Sequence, residues 1–204
     1  MTKYKGMKNG ITPYLVDPLS NWCILEALSG IILKCVPGSI VEVGSSYGDS
    51  MYHRRKSTNV FAEKAMMARV PFYTCDISKQ VEIDYTEHYH FSGSSLDFIE
   101  QFDKTGFAIV FLDGCHDYDV VIQEFYFFYE RLNLGGVVFL HDTSPLREEM
   151  LDPGKCSDSY KVRQELEQKR DELDCDVMTW PYSCGRAGLT TVLKKDPNRP
   201  YYQR

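Results

Sequence analysis

Apolar positions recur along the chain in two rhythms, one with the period of a helix and one of short unbroken runs. Residues 19–35 carry Trp22, Ile24, Leu25, Leu28, Ile31 and Ile32 at helical spacing, and Pro37-Gly38 ends that helix. Ile40-Val41-Glu42-Val43 reads as a buried strand and Gly44-Ser45-Ser46-Tyr47-Gly48 as a tight turn. Residues 49–69 look helical with a break near Ser57-Thr58-Asn59. Pro71 opens a strand over 72–75 that ends at Asp76, and Tyr89-His90-Phe91 is a third strand closed by Ser92-Gly93. A short helix is expected over 96–102. Residues 107–112 are the clearest buried strand, an apolar run of the kind found in parallel sheets. Residues 118–132 predict a helix crowded with aromatics, broken by Gly135-Gly136, and 137–140 the next buried strand. Two prolines and a glycine make 143–157 a long loop or lid. Residues 159–173 form a charged helix, and 176–180 and 189–193 are strands separated by a Gly-rich turn.

This alternation predicts one Rossmann-like α/β domain, a doubly wound and mostly parallel seven-stranded sheet with helices on both faces. No helix separates the last two strands, so they pair antiparallel at one edge and supply an antiparallel edge strand. Residues 1–18, polar and punctuated by Pro and Gly, are expected as an N-terminal arm, and 19–204 as the domain. A length of 204 residues, 43% of them hydrophobic and 25% charged, suits an ordinary globular core. A net charge of −6 and the lack of a long Lys/Arg block argue against a nucleic-acid partner. The short cluster Arg54-Arg55-Lys56 reads first as a solvated helix end and only second as a phosphate patch.

No apolar run approaches the ~18 residues of a membrane span, and Met1 to Gly6 lack the apolar core of a signal peptide. Seven cysteines, an odd number without metal-finger spacing, point to reduced thiols in a cytoplasmic compartment. Cys35, Cys75 and Cys175 are expected as small core residues. The sequence leaves open whether the chain forms a homo-oligomer.

In a doubly wound sheet, ligands bind beyond the carboxyl ends of the strands. Here those ends hold Glu42-Val43-Gly44, Asp76, Ser92-Gly93-Ser94, Asp113 and His141-Asp142. The first turn has one glycine fewer than a dinucleotide fingerprint and an acid two residues before Gly44. An acid there suits a cationic ligand such as S-adenosylmethionine better than a pyrophosphate, although Gly44 and Gly48 could equally serve only the turn. Asp76 can accept from both ribose hydroxyls or merely cap the residues after it, and a nicotinamide cofactor would want an acid there too.

The strongest segment is Phe111-Leu112-Asp113-Gly114-Cys115-His116-Asp117-Tyr118, followed by Gly135-Gly136 and His141-Asp142. Asp113 and Asp142 end neighbouring strands and can share a hard cation. His116, with an ordinary pKa of ~6.5, is a sensible base for a substrate hydroxyl. Asp117 reads as a helix N-cap. Adjacent strand residues face opposite ways, so His141 joins Asp142 as a ligand only if the strand has already ended. His53, His88 and His90 are expected to be surface or structural.

These runs, V-E-V-G-S-S-Y-G-D-S, F-L-D-G-C-H-D-Y and L-N-L-G-G-V-V-F-L-H-D-T, resemble class I S-adenosylmethionine-dependent methyltransferases. The nearest branch joins a D-G-x-H strand end to a terminal H-D and includes macrocin-type sugar O-methyltransferases and cephalosporin hydroxylase-like proteins. The resemblance covers residues 40–145 and, more weakly, the final strands. It implies that Glu42, Gly44, Ser46 and Gly48 surround the methionine part of the cofactor. Asp76 would hold the ribose, and Ser94 or Ser95 would sit near the adenine. Asp113 and Asp142 match metal-ligand positions for Mg or Mn, and His116 the general base. The chain departs from the branch at His141-Asp142, where macrocin-type enzymes have Glu-Asp and catechol-type enzymes Asp-Asn. A histidine is softer than magnesium prefers.

The expected activity is in-line methyl transfer to a small hydroxylated acceptor, with Tyr118, Trp180 and Tyr182 as candidate walls of the acceptor pocket. Two rival readings are a cofactor-binding protein without catalysis and a nicotinamide-dependent oxidoreductase.

Overall fold

The computed structural model describes residues 21–45, 57–78, 83–181 and 187–197. The elements run α1 (Asn21–Cys35), β1 (Ser39–Val43), α2 (Ser57–Ala68), β2 (Phe72–Asp76), β3 (His88–Ser92), α3 (Ser95–Gln101) and β4 (Phe107–Leu112). They continue with α4 (Tyr118–Arg131), β5 (Leu132–His141), a 3-10 turn (Glu148–Leu151), α5 (Tyr160–Lys169), β6 (Cys175–Trp180) and β7 (Leu189–Lys194). The expected arm over 1–18 and the basic cluster at 54–56 lie outside the described residues.

The strands form one seven-stranded sheet in the order β3-β2-β1-β4-β5-β7-β6. β1 to β5 are mutually parallel, and β7 runs antiparallel to both β5 and β6. The final two strands therefore pair antiparallel at one edge, as expected, with β7 one place in and β6 outermost. This is the Rossmann-like α/β architecture the alternation predicted.

β1 and β4 are buried along their whole length because helices cover both faces. The period-2 alternation of a strand divides their side chains between two cores. Val41, Val43, Val110 and Leu112 face α3, α4 and α5, meeting Phe98, Phe125, Phe128 and Leu166. Ile40, Ile109, Phe111 and Phe139 face α1 and α2, meeting Leu25, Phe61 and Ala65. In α4 the buried residues Val121, Phe125 and Phe128 form a stripe at helical spacing that fixes which side of the helix meets the sheet.

Three expectations change. β5 does not start after the glycines: it begins at Leu132, which pairs with Phe107, and the register shifts between Phe107 and Ile109. Gly135, at φ 79°, makes an irregularity within the strand rather than a gap before it. α5 stops at Lys169 and the chain turns through Asp174, at φ 51°, into β6. Cys35 is exposed at the end of α1, whereas Cys75 and Cys175 are buried as expected. Among the described residues no helix is long and apolar enough to cross a membrane.

Gly44 shapes the exit of β1. Its φ is +83°, and a Cβ there would lie 2.2 Å from the backbone oxygen of Asp113. Only glycine lets β1 leave the sheet this close to the end of β4. Gly44→Ala should cost at least ~1 kcal/mol in denaturant unfolding, from the strained φ and the collision together. Gly154→Ala, where an added Cβ meets nothing within 4 Å, should change stability little.

Candidate active site

The parallel strands all end on the same side of the sheet, and their last residues build the site. β4 runs directly into Asp113, whose backbone N–H donates to Val43 of β1. β5 ends at His141, and Asp142 turns away with φ 57°. That left-handed residue resolves the facing problem: once the strand has ended, His141 and Asp142 need not point to opposite sides. His141 Nδ1 lies 3.0 Å from Asp113 Oδ1 and 2.9 Å from Asp142 Oδ1. His116 Nε2 lies 3.4 Å from Asp142 Oδ2 and 3.7 Å from Asp113 Oδ1.

Two carboxylates here face two imidazoles in a largely buried crevice, with Asp113 and Asp142 only 22% and 16% exposed. Burial pushes the Asp113 carboxyl up, but His141 first and His116 second pull it below its ordinary value. Burial would push His141 down, yet Asp113 and Asp142 together raise it to about 10. His116 is raised by its hydrogen bond to Asp113, against burial, with Asp142 adding to the effect. The electrostatics thus favour positive charge between the two carboxylates. Donor atoms of Asp113, His141 and Asp142 all lie within 4.8 Å of one another, as one metal ion needs.

The segment after Asp142 is tied down at several points rather than standing free as a lid. The Lys155 carbonyl accepts from His116 Nδ1. Ser159 Oγ donates to the Asp142 carbonyl at 2.7 Å. The Asp158 carboxylate accepts the Tyr118 backbone N–H at 2.8 Å, at the start of α4. Asp117 caps that helix by accepting from Asp119 N–H, as expected.

The other predicted residues fall around this centre. Glu42 is fully buried on the α2 side of β1, against the Ser57 and Thr58 hydroxyls. Burial pushes its carboxyl up to about 8, the two hydroxyls opposing and Asp113 and Asp76 adding to the rise. Asp76 uses Oδ1 to accept from Ser78 N–H at 2.7 Å and from Ser78 Oγ at 2.5 Å, so one of its oxygens has the capping role. Ser94 is the N-cap of α3, accepting from Asp97 N–H at 3.1 Å, which commits its hydroxyl; Ser95 lies toward α4. Ser46 and Gly48 lie outside the described residues.

The Tyr118 hydroxyl is committed to Glu165 on α5, and Trp180 packs on the Phe111 side of the core. Trp180 ends β6 at the site end of the sheet, paired with the Leu189 that also pairs with His141, and Tyr182 is outside the described residues. His88 and His90 both hydrogen-bond the Thr74 hydroxyl at 2.9 Å, a structural role on β3 as expected. His53 lies outside the described residues.

Two contributors escaped the sequence reading. The Lys155 carbonyl is a backbone atom and has no residue signature. Glu124 is a fully buried acid on α4, and its signal was available: it interrupts the apolar stripe between Val121 and Phe128.

A family profile described as a methyltransferase domain matches residues 41–143, half of the chain. No functionally curated protein matches the sequence. Among solved structures, an O-methyltransferase from Bacillus cereus in complex with SAH is 16% identical with a TM-score of 0.60, over 92% of this chain and 84% of that one. The O-methyltransferase TomG from Streptomyces achromogenes, in complex with SAM, is 18% identical with a TM-score of 0.58, over 86% and 79% of the two chains. MycE methyltransferase from the mycinamycin biosynthetic pathway, with Mg, SAH and mycinamycin VI, is 17% identical with a TM-score of 0.54, over 79% of this chain and 45% of MycE. At these identities the structural likenesses speak for the fold, and the profile match speaks for the family. The profile spans the glycine turn, the Asp113-to-His116 segment and the His141-Asp142 strand end, and on that match the chain belongs to the methyltransferase-domain family.

Proposed function

We propose that the chain is an S-adenosylmethionine-dependent methyltransferase that methylates an oxygen of a small hydroxylated acceptor, sugar-like or natural-product-like. The observation that carries this reading is the convergence of His116 Nε2 on the carboxylates of Asp142 and Asp113, at 3.4 and 3.7 Å. The structural neighbours that hold SAM, SAH and magnesium support it.

The residues fit both groups the reading requires. Two hard carboxylate oxygens and one imidazole nitrogen form a donor set for Mg or Mn, with the histidine favouring the softer Mn. Buried Glu42, beside the turn at Gly44, suits the cationic methionine end of the cofactor better than a pyrophosphate. When bound, the cofactor supplies a methyl group on a sulfonium, and the metal lowers the pKa of a nearby hydroxyl.

The chain's own residues then do three things. A carbonyl can only accept, so the Lys155 oxygen keeps a proton on Nδ1 of His116 and makes Nε2 the atom that gains or loses a proton beside the carboxylates. His116 Nε2 is thereby placed to take the acceptor's hydroxyl proton. The segment held by Ser159 and Asp158 walls the crevice from one side and keeps the base oriented. Cys75, Cys115, Cys156 and Cys175 are free thiols, which supports a reducing, cytoplasmic setting for this chemistry.

Calorimetry should show one S-adenosylhomocysteine per chain and no comparable NAD binding; tight NAD binding without S-adenosylhomocysteine binding would overturn the reading. His116→Ala should slow release of S-adenosylhomocysteine with a panel of sugars and phenols by ~10²–10⁴-fold, with cofactor affinity changed only a few-fold. Loss of affinity to the same extent would instead favour a binding protein without a base. A chelator should reduce turnover, and unchanged turnover would point to metal-free transfer. Glu42→Gln offers a further check, in which stability and binding move in opposite directions. A carboxyl raised to about 8 on folding contributes stability below its ordinary 4.5 that is lost as pH rises through 8. The cofactor-free variant should therefore lose less stability between pH 6 and 9 than the parent, measured by thermal melts, while binding S-adenosylhomocysteine more weakly.

A further inference from the structure

Beyond Asp142 the chain forms a cleft of about 330 Å³ between the 3-10 turn and the first turn of α5. Two hydrogen bonds fix its place. Ser144 N–H donates to the Ala187 carbonyl at 2.7 Å, just before β7, and Ser159 Oγ donates to the Asp142 carbonyl at 2.7 Å. Pro145 and Tyr160, the residues that follow these two serines, line the cleft. Pro145 is three residues from Asp142, so the cleft starts within about 10 Å of it. In the strand order it falls on the β5–β7 side, away from β1 and the turn at Gly44. A molecule seated there approaches Asp113, His116 and Asp142 from the side away from the cofactor turn.

Pro145, Leu146 and Leu151 give the cleft apolar walls and Tyr160 an aromatic one. Its cations are Arg147 and Arg163. Residues 145–163 carry four basic side chains, and they divide into two kinds. Lys155 and Lys161 are not part of the lining and are held by Asp152 and Asp158 at 3.0 and 2.9 Å. The arginines are held more loosely. Arg147 Nη1 is 3.3 Å from Glu149 and Arg163 Nη1 is 3.6 Å from Glu167, against ~2.7–2.9 Å for a good charge-assisted bond. Arg163 Nε is buried and has no acceptor among the described residues. An unmade buried donor costs free energy that a bound acceptor oxygen would recover. The planar fork of a guanidinium fits the paired oxygens of a carboxylate or phosphate better than a lone hydroxyl. Glu148 also lines the cleft, but it is exposed, so water screens its charge.

We propose that this cleft anchors the methyl acceptor by an acidic group, which makes the substrate class a small hydroxylated acid. The body of the acceptor lies on Leu146, Leu151 and Tyr160, its carboxylate or phosphate on Arg147 and Arg163, and its hydroxyl at His116 Nε2. Two separated anchors decide which hydroxyl reaches the base. The assignment rests on the methyltransferase reading given above and narrows its acceptor.

The test is calorimetry on the full chain saturated with S-adenosylhomocysteine, which lets an acceptor bind without turnover. The probes are glucuronate and glucose 6-phosphate against glucose, and caffeate against catechol. At least one acid should bind about tenfold or more tightly than its neutral counterpart, as hydrogen bonds to a charged group allow. Tighter binding of glucose 6-phosphate than of glucuronate would identify the group as a phosphate, and the reverse as a carboxylate. Arg147→Gln and Arg163→Gln should each reduce the preference for the acid to about twofold. Arg147 is exposed, so Arg147→Gln decides the matter if Arg163→Gln fails to fold. Equal affinity for acids and neutral probes, a preference that survives both substitutions, or no binding of any acid would overturn the proposal. If the chain takes up no S-adenosylhomocysteine, the cofactor reading fails and takes this assignment with it; uptake of S-adenosylhomocysteine with any of those three results overturns this assignment alone.

Discussion

Like charges gathered in a dry place must be answered by something positive, and this constraint organises one end of the sheet. Glu42, Asp113 and Asp142 are carried by β1, β4 and β5 to the same edge, where water is scarce. Left to themselves, such groups take up protons or draw in cations. Both responses are visible. Glu42 holds its proton well past the ordinary carboxylate range, while Asp113 and Asp142 share His141 and draw in His116. A sulfonium, an ammonium and a divalent metal are all positive, and a site built this way favours them over a phosphate.

The fold produces this crowding at little local strain. Continuous apolar runs such as residues 107–112 are satisfied between two helical layers, and the helical crossovers that supply those layers return the chain to start each of these strands parallel to the last. Parallel register then aligns the polar residues that end each run. Gly44 lets β1 turn off beside Asp113, and the left-handed turn at Asp142 frees His141 to face its neighbours. The segment from Ser144 to Ser159 returns across this edge and grips Asp142, His116 and the start of α4, so the His116 ring is oriented by the body of the domain.

Much of this was legible in the residues alone. Burial on both faces makes strands into apolar runs with polar ends, so the seven strands and the trio Asp113, His116 and Asp142 could be read directly. β5 was read too short because Gly135-Gly136 has the composition of a break, whereas pairing of Leu132 with Phe107 pulls those glycines into the strand. His141 was left undecided because its direction depends on one backbone angle at the next residue. The Lys155 carbonyl has no sequence signature. Glu124 did have one, an acid inside an apolar stripe, but helix-surface acids are so common that its burial shows only once α4 is seated on the sheet.

The claim that these strand ends exist to hold positive charge is tested most directly by manganese binding. Electron paramagnetic resonance of the chain titrated with Mn2+ in the presence of S-adenosylhomocysteine should show one tight ion per chain with a directly bound nitrogen. That nitrogen signal should vanish in His141→Ala, and the tight ion itself in Asp113→Asn and Asp142→Asn. Weak, non-stoichiometric manganese that is indifferent to all three substitutions would contradict the account.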